Sequence, residues 1–210
     1  GYIMEIKERR NELVRPPIAN VDQAILVFSA AEPDFSTSLL DRFLVLVESK
    51  DINPIICISK MDLLRSDDSK SIEEYAEQYR AIGYDVILTS SMEESGVTDL
   101  LPYLRGKTSV FAGQSGVGKS SLLNVIDPTL NLKTNMISSH LGRGKHTTRH
   151  VELIDIGDGL LADTPGFSSL EFNEIEAEEL TGCFPELSEK SRECKFRGCL
   201  HVKEPKCAVK

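Results

Sequence analysis

The sequence predicts an α/β fold, a mostly parallel sheet with helices on both faces. Three observations carry that expectation. Short apolar runs of strand length alternate with segments of helical periodicity. A glycine-rich phosphate-loop pattern directly follows one such run, and two late runs lie close enough in sequence to form a hairpin.

Taken in order, Tyr2–Ile6 is one possible strand, followed by charge and by Arg15-Pro16-Pro17, a linker pattern. A lone strand cannot bury its apolar face, so an upstream partner is expected. Ala24–Phe28 is the first strand of the sheet. Ser36 is placed to cap a helix running to about Ser49, with Leu39, Leu40, Phe43, Leu46 and Val47 on one stripe. Asn53-Pro54 ends that unit, and Ile55–Ile58 is a second buried strand. Ser71, with Glu74 three residues on, forms a capping-box pattern for the next helix, which Gly83 should stop. Val86–Leu88 is the third strand and Asp99–Leu104 a short helix, Pro102 suiting its first turn. Ser109–Ala112 is the fourth strand. Val151–Ile156 and Leu160–Ala162 pair around Gly157-Asp158-Gly159. After Ile175 cysteine, arginine and lysine become enriched, marking a small separate module, and no internal repeat is present.

At 210 residues the chain is long enough for one large or two small domains, and 40% hydrophobic with 27% charged residues is ordinary soluble usage. That composition argues against extensive disorder and against a fibrous protein. The longest apolar runs are too short to span a bilayer, and charges interrupt any signal-peptide pattern at the N-terminus. A soluble, cytoplasmic protein without a membrane partner is expected. The net charge of −9 hides an asymmetry. Lys133–His150 holds four Lys and Arg and no acid, and Lys190–Lys210 holds seven against two acids, Glu193 and Glu204. Two basic islands on an acidic body can place an RNA contact at chosen surfaces.

Gly113-Gln114-Ser115-Gly116-Val117-Gly118-Lys119-Ser120 matches G-x-x-x-x-G-K-[ST], between a predicted strand and a predicted helix. Glycines let such a loop curl so that backbone N–H groups point at phosphate oxygens, with the helix N-terminus adding positive potential. Lys119 is expected on the β- and γ-phosphates, Ser120 on Mg²⁺ and Ser121 beside the α-phosphate. Asp163-Thr-Pro-Gly166 closes an apolar strand. In this order a D-x-x-G offers Asp163 to Mg²⁺ through water and the Gly166 N–H to the γ-phosphate. Between them Gly142–His150 is glycine-flexible, basic and rich in hydroxyls, a loop able to close over Mg²⁺ through Thr147 or Thr148. The residues do not choose between the two threonines.

Ser59-Lys60-Met61-Asp62 follows the strand Ile55–Ile58 and fits the guanine-reading pattern [NT]-K-x-D except at its first residue. A carboxylate there accepts from the guanine N1–H and exocyclic amine, while the Lys stem packs on the ring; adenine leaves the carboxylate unpaired. The next strand ends in Thr89-Ser90-Ser91, like the S-A-x turn that supports the guanine carbonyl through backbone N–H. These base-reading segments precede the phosphate loop, the reverse of the usual GTPase order. A site built at strand ends is indifferent to which loops are cut and rejoined, so the order describes a circular permutation.

Cys194-x₄-Cys199-x-His201-x₅-Cys207 brings three thiolates and an imidazole together, suiting a closed tetrahedral zinc site. Cys57 reads as core, and Cys183 as a buried or free thiol. So short a segment has little core, so the metal would supply most of its folding free energy. Lys195, Arg197, Lys203 and Lys206 interleave with the ligands, a surface suited to RNA phosphates.

Together Gly113–Asn124, Gly142–His150, Asp163–Phe167 and Cys194–Cys207 resemble the RsgA (YjeQ/YloQ) family of circularly permuted GTPases of small ribosomal subunit maturation, over nearly the whole chain. The resemblance implies an OB-fold remnant and linker over 1–20, a circularly permuted P-loop GTPase domain over 21–172 and an α-rich zinc-binding domain over 173–210. It implies Cys194, Cys199, His201 and Cys207 as zinc ligands, with further helix after the last cysteine. It implies GTP and GDP as ligands, the 30S subunit and its 16S rRNA as partners, and hydrolysis stimulated by the subunit. A monomer is expected. Phe167 stands where a water-orienting glutamine is usual, and the resemblance points to His146 as the group that positions water instead. Two other readings are an RNA-binding scaffold that holds nucleotide structurally and an ATP-using P-loop enzyme.

Overall fold

The computed structural model describes residues 3–6, 8–13, 17–132, 151–157, 159–163 and 175–210, with Ser66, Glu152 and Asp163 described as backbone only. A six-stranded sheet organises the molecule. Its strands are β3 (Gln23–Ser29), β4 (Asn53–Ser59), β5 (Asp85–Leu88), β6 (Thr108–Ala112), β7 (Glu152–Asp155) and β8 (Leu160–Asp163), in the spatial order β5-β4-β3-β6-β8-β7. All neighbours run parallel except β7, which pairs antiparallel with β8 at the edge as the predicted hairpin.

Residue alternation along the central strands explains the two covered faces. Ala24, Leu26 and Phe28 of β3, with Ile56 and Ile58 of β4, pack against α1 (Thr37–Glu48) and α2 (Ser66–Ile82). Ile25 and Val27, with Ile55 and Cys57, pack against α3 (Leu101–Leu104) and α4 (Lys119–Ile126). Every residue of β3 is buried, the pattern of a parallel strand covered on both sides. Phe28 meets Phe43 of α1 edge-to-face, their centroids 5.5 Å apart.

Helix boundaries follow the caps with one exception. The Ser36 hydroxyl accepts from the Leu39 N–H at 3.3 Å and starts α1, and Gly83 stops α2 in the left-handed conformation, φ 119°. The expected start of α2 at Ser71 is wrong. The helix begins at Ser66 after Arg65, with no side-chain cap, and carries Asp67 and Asp68 in its first turn, where the helix dipole favours acids.

The N-terminal segment also differs from expectation. Residues 3–6 carry no strand, and Ile3, Met4 and Ile6 are exposed. The stretch read as a linker instead contains an antiparallel pair, β1 (Glu12–Leu13) with β2 (Ile18–Ala19). Leu13 is buried with the α1 side of the core, and the Asn11 amide exchanges hydrogen bonds with the Val21 backbone N–H and carbonyl at 2.9 and 2.8 Å.

At the C-terminal end a 3₁₀ turn (Leu180–Cys183) packs on α1 and buries Cys183, and α5 (Pro185–Ser191) leads into the cysteine-rich loops.

Candidate nucleotide site and metal centre

Parallel register brings the chemistry-bearing loops to one edge. Ser29 pairs with Ser59, Ile58 with Leu88, Leu26 with Ala112 and Val110 with Ala162, so β3, β4, β5, β6 and β8 all end on the same side. Open parallel sheets bind ligands at such carboxyl ends.

The phosphate loop leaves β6 at Gly113, whose φ is 139°. A Cβ there would lie 2.1 Å from the Val27 carbonyl oxygen, so only glycine lets the loop cross the end of β3. Gly118 starts α4 with φ 94° and no side-chain cap, leaving the helix's first N–H groups uncapped. Lys119 folds back over the loop, donating to the Gly113 and Gln114 carbonyls at 2.7 and 2.5 Å. Burial lowers its pKa to about 8. Ser120 is buried at the start of α4, Ser121 is half-buried, and Ser115 and Gly116 are exposed at the loop's crown.

The base-reading segment is tied to this loop. Ser59 is 1% exposed, and its hydroxyl lies 2.5 Å from the Val117 carbonyl oxygen and 3.1 Å from that of Phe28. The hydroxyl of Ser59, a candidate nucleotide contact, is committed to these two backbone carbonyls. Lys60 follows in the left-handed conformation, φ 60°, and its ammonium donates to the Glu32 carbonyl. A Cβ at Gly118 would lie 3.9 Å from Lys60 Cε, so the lysine stem runs beside the phosphate loop. The Met61 side chain packs into the core on the α1 side. Asp62 accepts a 2.5 Å hydrogen bond from the Ser90 hydroxyl, which in turn accepts from the Glu93 N–H at 3.1 Å. The Met61 N–H donates to the Thr89 carbonyl at 3.2 Å, joining the two base-reading turns, and Ser91 is half-buried in the second.

Residues 59–62, 90–91 and 113–121 therefore share the sheet edge, and the backbone of Asp163 ends β8 on that same edge. His146, Thr147, Thr148, Gly166 and Phe167 lie outside the described residues, as does the basic island 133–150.

The second cluster forms from sequence neighbours. One ligand atom each from Cys194, Cys199, His201 and Cys207 lies within 4.8 Å of the others. His201 Nδ1 stands 3.7 Å from Cys194 Sγ and 3.3 Å from Cys207 Sγ, while Nε2 is buried without a hydrogen-bond partner. Tetrahedral zinc, with bonds of about 2.0–2.3 Å, separates its ligands by roughly 3.4–3.8 Å. The donor set fits, and the two His201–cysteine distances lie close to that range, so this cluster can hold a zinc ion. The Cys207 thiol is lowered to about 7: burial raises it, and hydrogen bonds from His201 and the Val209 and Lys210 backbone more than offset that. Burial raises Cys199.

A residue the motif reading passed over holds this loop. Glu204 accepts from the N–H groups of Leu200 at 3.1 Å, Val202 at 2.9 Å and Lys203 at 3.0 Å, gathering the turn around His201. Its signal in the sequence is slight: it is the one acid between Cys199 and Cys207. The other two cysteines behave as expected, Cys57 fully buried with its thiol pushed up to about 12 and Cys183 buried with its thiol also raised by burial.

Known proteins share this arrangement. A family model described as RsgA GTPase matches residues 6–173. The chain belongs to the RsgA GTPase family. It is 70% identical over 211 residues to the small ribosomal subunit biogenesis GTPase RsgA of Bacillus subtilis, covering all of this chain and 71% of that protein. The RsgA of a Geobacillus species is also 70% identical, over 210 residues, with 72% of it covered. Among solved structures, YloQ, described as a circularly permuted GTPase, superposes with a TM-score of 0.83 at 63% identity, across 98% of this chain and 66% of that one. YjeQ from Thermotoga maritima matches with the same TM-score at 41% identity, across 98% of this chain and 68% of that one.

Membership makes the chain a GTPase with permuted motif order, and Mg²⁺ belongs to the chemistry of the RsgA GTPase family in general. Among the described residues no helix is long and apolar enough to cross a membrane.

Proposed function

We propose that this chain acts in late maturation of the 30S ribosomal subunit in the cytoplasm, binding 16S rRNA and hydrolysing GTP faster when the subunit is bound. The observation that carries the nucleotide reading is the pair of short links across the sheet edge: Ser59 to the Val117 carbonyl, and Ser90 to Asp62, each at 2.5 Å. They tie the Asp62 carboxylate to the Ser90 turn and the end of β4 to the phosphate loop, at one edge of the sheet. The ribosomal part of the reading is supported by the names of the 70% identical relatives.

In this site Asp62 accepts from the guanine N1–H and amine while Lys60 lies along the ring. Lys119 leaves the Gly113 and Gln114 carbonyls for the β- and γ-phosphates. The N–H groups of Gly116, Val117 and Gly118 line the phosphates, with Ser115, Ser121 and Gly166 completing the cradle. Ser120, Asp163 and one of Thr147 or Thr148 would hold Mg²⁺, which neutralises phosphate charge when bound. His146 orients a water that attacks the γ-phosphorus as the bond to the β–γ bridging oxygen breaks, a proton of the water passing to a γ-phosphate oxygen; GDP leaves with the new charge, which Lys119 and the loop N–H groups stabilise. Cys194, Cys199, His201 and Cys207 hold zinc structurally.

GTP turnover measured against added small subunits tests the reading. Stimulation by subunits, with excess ATP failing to compete, is the expected result. Unstimulated turnover makes the chain a scaffold, and ATP displacing GTP overturns the base assignment. His146→Ala should keep nucleotide affinity and lose the stimulated rate; an unchanged stimulated rate removes the histidine from the mechanism.

A further inference from the structure

Beside the metal cluster is a cavity of about 290 Å³, near the lower end of small-ligand cavities. Its lining includes Arg192, Phe196, Arg197, Leu200 and Thr181, with Glu178 the one acid among the residues that form it. The Phe196 ring is 47% exposed, with the Lys195 ammonium 5.5 Å from its centroid, and Arg192 and Arg197 are exposed. The ring stands among cations on a chain of net charge −9.

We propose that this cavity receives one unpaired nucleotide of an RNA strand, its base stacked on Phe196 and its phosphates between Arg192, Arg197 and Lys195. Several features favour a single strand over other partners. The segment from Lys190 to Lys210 carries seven Lys and Arg against two acids, so its complement is a polyanion. A rigid duplex presents phosphates without a free base face, whereas unpaired bases stack on aromatic rings and on guanidinium planes. Cys194, Cys199 and His201 contribute to the same lining, so a metal held by them would also fix the backbone that carries Phe196. The inference names the RNA feature that the proposed ribosomal function would engage, and rests on that reading for its biological setting only.

The test uses the full zinc-loaded chain and a fluorescein-labelled mixed-sequence 12-mer, as single-stranded RNA and as its duplex. The wild-type chain should prefer the single strand. Phe196→Leu should weaken single-strand binding by roughly five- to a hundredfold, the equivalent of losing one base stack, and leave the salt dependence unchanged. Phe196→Tyr should restore it. Arg197→Gln should lower the slope of affinity against salt by about 0.7, one phosphate's worth. All three variants should keep their zinc and their unstimulated GTP turnover. Equal single-strand affinity for Phe196→Leu and wild type, a preference for duplex, or tighter binding of polyglutamate than of RNA each overturns the proposal. Those results leave subunit-stimulated turnover untouched. A chain indifferent to subunits would instead refute the proposed function, and a selective loss in Phe196→Leu against free RNA would still carry the cavity.

Discussion

The Ser59 hydroxyl lies 2.5 Å from the Val117 carbonyl oxygen, joining the last residue of β4 to the phosphate loop after β6 across the end of β3. Ser59 is buried, so no water replaces that partner when the hydroxyl is lost. Ser59→Ala should therefore destabilise the fold by about 1–2 kcal/mol, or roughly 2–8 °C in Tm for a chain of this size. GDP affinity should fall as well, because the segment proposed to read the base loses its link to the phosphate loop. Ser59→Thr keeps the hydroxyl and should bind nucleotide more tightly than Ser59→Ala. Thermal melts and fluorescent-GDP titrations read both effects, and a wild-type GDP affinity in Ser59→Ala would show that the link does not position the site.

In the proposed site Asp62 would read the base and Ser90 would align its carboxylate. Asp62→Asn replaces an acceptor by a group that is half donor, so one guanine N–H loses its partner, and GDP affinity should fall roughly ten- to a hundredfold. Ser90→Ala removes only the hydrogen bond that aligns the carboxylate. Its loss of GDP affinity should be smaller, about fivefold, with guanine still preferred over adenine. Competition of labelled GDP by GDP and ADP measures both, and an Asp62→Asn variant that still binds GDP like the wild type would rule out base reading by this residue.

Local patterns account for what the sequence made legible. The phosphate loop reads directly because its glycines must accept left-handed conformations at fixed offsets, and Gly113 must also clear the Val27 carbonyl. The zinc-type ligands fall within fourteen positions, and Ser36 and Gly83 bound their helices by rules that need only neighbours. Long-range partners escaped. Nothing near Ser59 announces a carbonyl 58 residues away, and the role of Glu204 depends on where the N–H groups of Leu200, Val202 and Lys203 point in the folded turn. Ser71-Glu74 points to the wrong start for α2 because it satisfies the capping pattern inside a helix that already begins at Ser66, with Asp67 and Asp68 in its first turn. Leu13 joined the core through a pairing that Arg15-Pro16-Pro17 had suggested was a linker.

Lys119 gives the nucleotide-free protein a pH signature. Burial lowers it from 10.5 to about 8. Below pH 8 the folded and unfolded chains both hold the proton. Between 8 and 10.5 the unfolded chain holds more, so this group makes the nucleotide-free fold more stable as pH rises through that window. Phosphates reverse the shift by favouring the charged ammonium, so binding at pH 8.5 should take up most of a proton, and affinity should decline above pH 8. Lys119→Arg, always charged, should take up none. Calorimetry of GDP binding in buffers of different ionisation enthalpy counts the protons; an equal uptake in both proteins would place the titrating group elsewhere.

In the proposed zinc site, Glu204 would raise metal affinity without contributing a ligand. Its two carboxylate oxygens gather three N–H groups from the turn that carries His201, which itself sits in the left-handed conformation with φ 60°. Without that acceptor the turn must find its geometry from the metal bonds alone, and groups that support ligands in this way are typically worth ten- to a hundredfold in metal affinity. Glu204→Ala should show a loss of that size against a chromogenic chelator. Glu204→Gln, which keeps one good acceptor, should fall between. Chelation should also release the backbone of 194–207 to fast hydrogen exchange while β3, β4 and β6 stay protected, because the sheet has its own core on both faces and the cysteine loops have none. A Glu204→Ala protein that holds zinc like the wild type would mean that the three N–H bonds follow from the ligand geometry and do not create it.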